Sequence, residues 1–276
     1  MNKACSPPPV IDRATAAALM EPLTELVALA GAAILAVNRD AMRVDGKIDG
    51  SPVTEADLAA DRIINEGLAR LAEGIPTLSE ERVNLAEPTY EGSFFLIDPL
   101  DGTKEFVAGR SEFTVNLALV TRGVPLLGII GAPALGLIWR GLVGRGAERL
   151  VTGKGPPRAE PIHTRAFPQA GQPWIVAVSR SHGDARTDAF IDARPGAVRE
   201  MLGSAVKFAK VAEGSVDIYP RLAPTHEWDV AAGHAIVTAA GGKITDARGA
   251  ELQFGKGAKD FIVPAFIAWG DPSAAR

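Results

Sequence analysis

The stretch Phe94-Phe95-Leu96-Ile97-Asp98-Pro99-Leu100-Asp101-Gly102-Thr103 constrains this chain most, because an apolar run ends in two carboxylates three residues apart. Four consecutive large apolar residues predict a buried strand. Acids at the tip of such a strand repel each other and resist desolvation, so they either shift their protonation or share a cation. An all-oxygen ligand set favours a hard divalent ion such as Mg²⁺, which keeps several waters and reaches toward phosphate oxygens. Gly102 lets the backbone approach a ligand, and Thr103 suits the cap of a helical turn whose amides would face an anion. The plain alternative is an Asp-Pro-x-Asp-Gly surface turn. The core strand that precedes it argues against that reading.

At 276 residues the chain is long enough for two cores or one large layered body. Its hydrophobic fraction of 47% and charged fraction of 22% are those of a soluble globular protein, and no window reads as a membrane span. Lys plus Arg is 29 against 33 for Asp plus Glu, a net charge of −4, and no basic run suggests a nucleic-acid polymer as partner. Any anionic ligand must then be held by metals or a few placed cations. The lone Cys5 excludes an intramolecular disulfide, argues against a thiolate metal site and fits a reducing compartment. No basic segment followed by an apolar one suggests a secretion signal.

From Leu23, the residues Leu26, Val27, Ala30, Ile34 and Val37 recur at helical spacing, with Pro22 acceptable at the helix start. A second helix over 54–71 carries Leu58, Ile63, Ile64, Leu68 and Leu71. Strands are predicted over 75–78, 94–97, 113–120, 126–130 and 137–143, followed by a hairpin and a connection over 144–173. Beyond that point strands and helices alternate: strand 174–178, helix 184–191, a strand near 198, helix 204–212 and strand 216–219. Helix 229–240, capped by Gly241-Gly242, precedes strands near 243–245 and 261–269. The pattern predicts an α+β N-terminal lobe over 10–165 and an α/β C-terminal lobe over 166–276, with a site at their interface.

Further acids each have a structural reading when taken alone. Glu80 and Glu81 follow a short strand, Asp229 opens an apolar helix where it would offset the dipole, and Asp57 lies three residues after Thr54 in a capping-box pattern. Together, Asp57, Ser79-Glu80-Glu81, Asp98 to Thr103 and Trp228-Asp229 resemble the metal-dependent, lithium-sensitive phosphomonoesterase superfamily of inositol monophosphatase and fructose bisphosphatase. The resemblance runs roughly from Leu23 to Trp269. Within that superfamily, several segments are similar to the bacterial 3′(2′),5′-bisphosphate nucleotidases. These are Ser51-Pro52-Val53-Thr54, Lys104-Glu105-Phe106, Ser179-Arg180-Ser181-His182, Gly203-Ser204 with Lys207, and Tyr219-Pro220-Arg221. Inositol phosphatases usually show Thr-Asn-Phe after the Asp-Gly and an acid near Arg221, and this chain departs from them at both points.

The resemblance implies a layered αβαβα sandwich and two or three Mg²⁺ ions per site. It implies that Glu80, Asp98 and the Leu100 carbonyl hold one ion and that Asp98, Asp101 and Asp229 hold another. Asp57 and Thr103 would orient or deprotonate the attacking water, with Glu80 assisting. Gly102 and Thr103 would cradle the transferred phosphoryl group, His182 would contact the nucleotide, and Ser204, Lys207 and Arg221 would bind a second phosphate. Ser204 and Lys207 read as one helical turn apart on one face. The implied reaction removes the 3′-phosphate of adenosine 3′,5′-bisphosphate, a small nucleotide, with its 5′-phosphosulfate analogue as a further substrate. Rival readings are an inositol monophosphatase or sugar bisphosphatase, and a catalytically silent metal- and nucleotide-binding regulator. A cytoplasmic location is expected, with association at the inner-membrane surface and a homodimer left open.

Overall fold

The computed structural model describes residues 9–39, 41–42, 44–46, 52–82, 90–153, 155–166, 168, 171–181, 183–256 and 261–275. Helix α1 (Arg13–Ala36) begins well before Leu23, because Asp12 caps it by accepting the Thr15 amide at 2.8 Å. Pro22 therefore lies inside the helix, where it removes one intrahelical donor. This early start also makes α1 long and apolar enough, by length and composition alone, to cross a membrane, contrary to the sequence expectation. In the fold, its buried Leu23, Leu26, Val27, Ala30 and Ile34 face a helix and a sheet at once.

Helix α2 (Glu55–Leu71) starts at Thr54, which forms a reciprocal capping box with Asp57. Its buried apolar face is Ala56, Ala60, Ile64 and Leu68, whereas Leu58 is 55% exposed and Leu71 is exposed too. The predicted face is thus rotated, because small residues and not the largest ones set how closely α1 and α2 approach. A Cβ at Gly67 would lie 2.3 Å from Leu26 Cδ1.

A short hairpin, β1 (Val44–Gly46) and β2 (Pro52–Thr54), leads into α2. Among the described residues, a seven-stranded sheet follows: β3 (Thr77–Ser79), β4 (Ser93–Asp101), β5 (Thr114–Thr121), β6 (Val124–Ala132), β7 (Leu137–Leu142), β8 (Gly146–Gly153) and β9 (Gly155–Ile162). Its order is sequential, with β3 parallel to β4 and the other pairs antiparallel. The short helix α3 (Thr103–Val107) leaves the tip of β4. The second half contains β10 (Ile175–Ser179), α4 (Ala185–Asp192), β11 (Val198–Leu202), α5 (Val206–Ala212), β12 (Ile218–Arg221) and β13 (Thr225–His226). It continues through α6 (Glu227–Ala239), β14 (Lys243–Thr245), β15 (Ile262–Val263) and β16 (Phe266–Trp269). A five-stranded sheet has the order β11-β10-β12-β16-β14. The strand predicted over 261–269 is split at Pro264, which has no ladder donor: β15 pairs with β13, and β16 joins the sheet.

The layers run α1 and α2, seven-stranded sheet, α5 and α6, five-stranded sheet, α4. This is the αβαβα sandwich. It explains why β4 is apolar without interruption, since helices cover both of its faces. Phe95 and Ile97 join the cluster under α1 and α2, while Phe94 and Leu96 join the cluster around α5 and α6. Close contact of α6 with the larger sheet needs Gly128, where a Cβ would lie 2.2 Å from the Ala232 carbonyl oxygen.

Candidate active site

The tip of β4 is where the fold concentrates charge. Pairing with β5 shifts register between Asp98, opposite Asn116, and Asp101, opposite Thr114, with Pro99 in the interval. The irregularity breaks the alternation that would otherwise send Asp98 and Asp101 to opposite faces, and such bulges re-aim side chains. Both acids line one cavity of about 300 Å³, together with Glu80 and Asp229. Glu80 arrives on the turn after β3, which Asp61 pins to α2 by accepting from Ser79 Oγ at 2.6 Å and Arg82 Nε at 2.5 Å. Asp229 is the third residue of α6, not its first. Its Oδ2 accepts from the Thr225 hydroxyl and, at 3.2 Å, from the His226 amide.

Burial first, and then the negative charges of Glu80, Asp101 and Asp229, push the Asp98 carboxyl well above its ordinary range. Asp101 is raised by burial and by Asp229, against the opposing pull of Lys207, the Ser204 hydroxyl and Arg221. Among the described residues, no three Asp, Glu, His or Cys side chains form a ready-made cage for one ion. The chemistry of the donors nevertheless suits hard cations: the ligands are oxygens only, and the buried carboxylates are destabilised by one another. Leu100 lines the same cavity, and its amide donates to Asp98 Oδ1 at 3.1 Å.

Beside these acids, Asp57 Oδ2 accepts from the Thr54 amide at 2.7 Å and the Thr54 hydroxyl at 2.6 Å. Its Oδ1 lies 3.0 Å from Thr103 Oγ1, which is also 3.1 Å from the Leu100 carbonyl oxygen. One hydroxyl proton serves these two acceptors. Burial raises the Asp57 carboxyl, although hydrogen bonds from Thr54 and Thr103 work against the shift. The cap predicted for α2 and the link to the β4 tip are therefore made by the same carboxylate. Gly102 adopts φ 88°, the left-handed conformation that lets the chain turn directly from β4 into α3.

Lys207 and Arg221 line the same cavity, and both charges act on Asp101. Burial lowers the Lys207 ammonium to about 8, against the stabilising charge of Asp101. The Lys207 ammonium sits 5.3 Å from the centre of the Tyr219 ring and also donates to the Ser204 carbonyl. Arg221 Nε is buried with no hydrogen-bond partner among the described residues. Ser204 is not on a helical face shared with Lys207, because it precedes α5 in the left-handed region at φ 52°. Its hydroxyl donates to the Asp101 carbonyl at 3.0 Å and lies 2.5 Å from Thr114 Oγ1. His182 lies outside the described residues.

Tyr219, Glu105 and His226 also line the cavity, and the candidate residues singled out from the sequence did not include them. The signal for Tyr219 was its position two residues before Arg221 on a strand, which places both on one face. Burial raises its phenol to about 12, so it stays protonated and able to donate.

The sequence profile of the inositol monophosphatase family matches residues 16–271. The chain belongs to that family. It is 38% identical over 231 residues to the 3′(2′),5′-bisphosphate nucleotidase CysQ of Shigella flexneri, covering 80% of this chain and 88% of that protein. The nucleotidase CysQ of Buchnera aphidicola is 35% identical over 254 residues, with 91% and 93% covered. The crystal structure of CysQ from Bacteroides thetaiotaomicron, a bacterial member of the family, superposes with a TM-score of 0.73 at 31% identity, covering 91% of this chain and 97% of that one.

Proposed function

We propose that this chain is a Mg²⁺-dependent 3′(2′),5′-bisphosphate nucleotidase that hydrolyses adenosine 3′,5′-bisphosphate to AMP and phosphate, and accepts the 5′-phosphosulfate analogue. The observation that carries the reading is one cavity lined both by four acids, Glu80, Asp98, Asp101 and Asp229, and by the desolvated cations Lys207 and Arg221. A substrate with a single phosphate does not need the two cations. The relatives named above support the same substrate class.

In this reading, Glu80, Asp98 and the Leu100 carbonyl would hold one Mg²⁺, and Asp98, Asp101 and Asp229 would hold a second. Bound Mg²⁺ supplies charge neutralisation at the phosphoryl oxygens and makes water a better nucleophile at neutral pH. Asp57 accepts the proton that leaves the attacking water, relayed through the Thr103 hydroxyl that already bonds it, and Glu80 assists. The raised Asp57 carboxyl suits a group that must take up a proton. Amides of Gly102 and Thr103 face the transferred phosphoryl oxygens. Lys207 and Arg221 hold the second phosphate beside the Ser204 turn, His182 meets the nucleoside, and this remote binding fixes the reacting geometry. We place the enzyme in the cytoplasm.

The test is phosphate release from adenosine 3′,5′-bisphosphate, inositol 1-phosphate and fructose 1,6-bisphosphate, with and without Mg²⁺. Preference for the nucleotide, abolished by EDTA, is the expected result. Preference for either sugar-like substrate, or no release at all, overturns the assignment.

A further inference from the structure

One contact between the two halves of the fold beside the active site is made by a carboxylate to which neither the mechanism nor the sequence reading gives a role. Glu112 lies on the loop between α3 and β5, and its Oε2 accepts from the Gly203 amide at 2.8 Å and from the Arg180 guanidinium. Arg180, at the end of β10, also donates from Nη2 to the Met201 carbonyl at 3.0 Å, and its amide donates to the Leu202 carbonyl at 3.2 Å. Glu112 thus ties the strand end and the turn ahead of α5 to the larger sheet. Burial opposes the Glu112 charge, but Arg180 and the Gly203 amide outweigh it and hold the carboxyl below its ordinary range.

The fit around this carboxylate leaves no slack. A Cβ at Gly203 would lie 2.6 Å from the Glu112 carbonyl oxygen and 2.9 Å from its Cβ. The next residue, Ser204, holds a left-handed conformation that costs a non-glycine residue energy, so the surrounding contacts must impose it. The Ser204 carbonyl and the Leu202 carbonyl, at 3.5 Å, are the acceptors that fix the Lys207 ammonium. Glu112, which does not line the cavity, thus shares with Asp101 and Thr114 in holding the turn that fixes Lys207.

We propose that Glu112, latched to Arg180 and the Gly203 amide, is a positioning residue for recognition of the substrate's second phosphate. The inference rests on the nucleotidase reading above, and it divides affinity from chemistry. Releasing the latch lets the 203–204 turn relax and moves Lys207, while the acids at the β4 tip keep their own supports in Asp57, Asp61 and β5.

The experiment compares wild type, Glu112→Ala, Glu112→Gln and Arg180→Met on adenosine 3′,5′-bisphosphate and on adenosine 3′-phosphate, which lacks the second phosphate. Glu112→Ala and Arg180→Met should each raise KM for the bisphosphate about tenfold. They should leave kcat and KM for the monophosphate within about twofold. Glu112→Gln keeps an acceptor for the Gly203 amide but loses the ion pair, so its KM should fall between. Arg180→Met acts from the other sheet and keeps the test decisive if Glu112→Ala does not fold. An unchanged bisphosphate KM, or equal losses on both substrates, overturns the latch while leaving the nucleotidase assignment standing. A wild-type enzyme that shows no preference for the bisphosphate overturns both.

Discussion

Two buried titratable groups on α6 oppose each other, and removing one should expose the other in the pH dependence of stability. Glu227 is 2% exposed, and burial raises its carboxyl from 4.5 to about 7 even though it accepts the Gly255 amide at 2.8 Å. His234, packed edge-on to Phe254 with its Nδ1 unpartnered among the described residues, is lowered by burial from 6.5 to about 4. Between pH 4.5 and 7 the unfolded chain ionises Glu227 and the folded chain does not, so this group's contribution falls as pH rises. Between pH 4 and 6.5 the unfolded chain protonates His234 and the folded chain does not, so this contribution rises with pH. At about 1.4 kcal/mol per pH unit each amounts to about 3 kcal/mol, with opposite sign, and they nearly cancel. Glu227→Gln keeps an acceptor for the Gly255 amide and removes one side of the balance. Urea unfolding in EDTA from pH 4.5 to 8 should show the variant gaining about 3 kcal/mol over wild type as pH passes 7, with no gain at pH 4.5. His234→Leu should give a difference of the opposite slope. A constant offset between Glu227→Gln and wild type across the range would refute the reasoning.

Other perturbations separate packing from chemistry. Gly128→Ala forces a methyl against the Ala232 carbonyl and should cost about 3 kcal/mol in urea unfolding by displacing α6. A near-neutral result would mean that the helix shifts freely. Thr103→Ala removes the hydroxyl shared by Asp57 and Leu100, and should lower kcat by about a hundredfold while Mg²⁺ affinity measured by calorimetry is retained. Arg221→Ala should raise KM for adenosine 3′,5′-bisphosphate much more than for adenosine 3′-phosphate, and equal effects would remove Arg221 from the second-phosphate site.

What the sequence disclosed follows from how locally each feature is encoded. The β4 run and its acids were legible because burial on both faces leaves an unbroken apolar string, and the Thr54–Asp57 box because a cap is a three-residue pattern. The buried face of α2 was misread because its closest contact is Gly67 against Leu26, a fit between a missing side chain and a distant residue. The α1 start was missed because Asp12 caps a first turn whose apolar residues are mostly alanines. The placement of Ser204 depends on Asp101, Thr114 and Glu112 from the other sheet, and no spacing within 203–207 encodes these partners. Tyr219 entered only as part of a motif, since its burial beside Lys207 arises from the packing of α5 on β12.

The central claim is that acids from α6, β4 and the turn after β3 gather hard cations beside the buried Lys207 and the half-buried Arg221. Crystals grown with Mn²⁺ and AMP, measured for anomalous scattering, test it most directly. The account predicts strong peaks between Glu80, Asp98, Asp101 and Asp229, with the nucleotide phosphate against Lys207 and Arg221. Peaks elsewhere on the protein, or none within reach of Asp98 and Asp229 together, would contradict it.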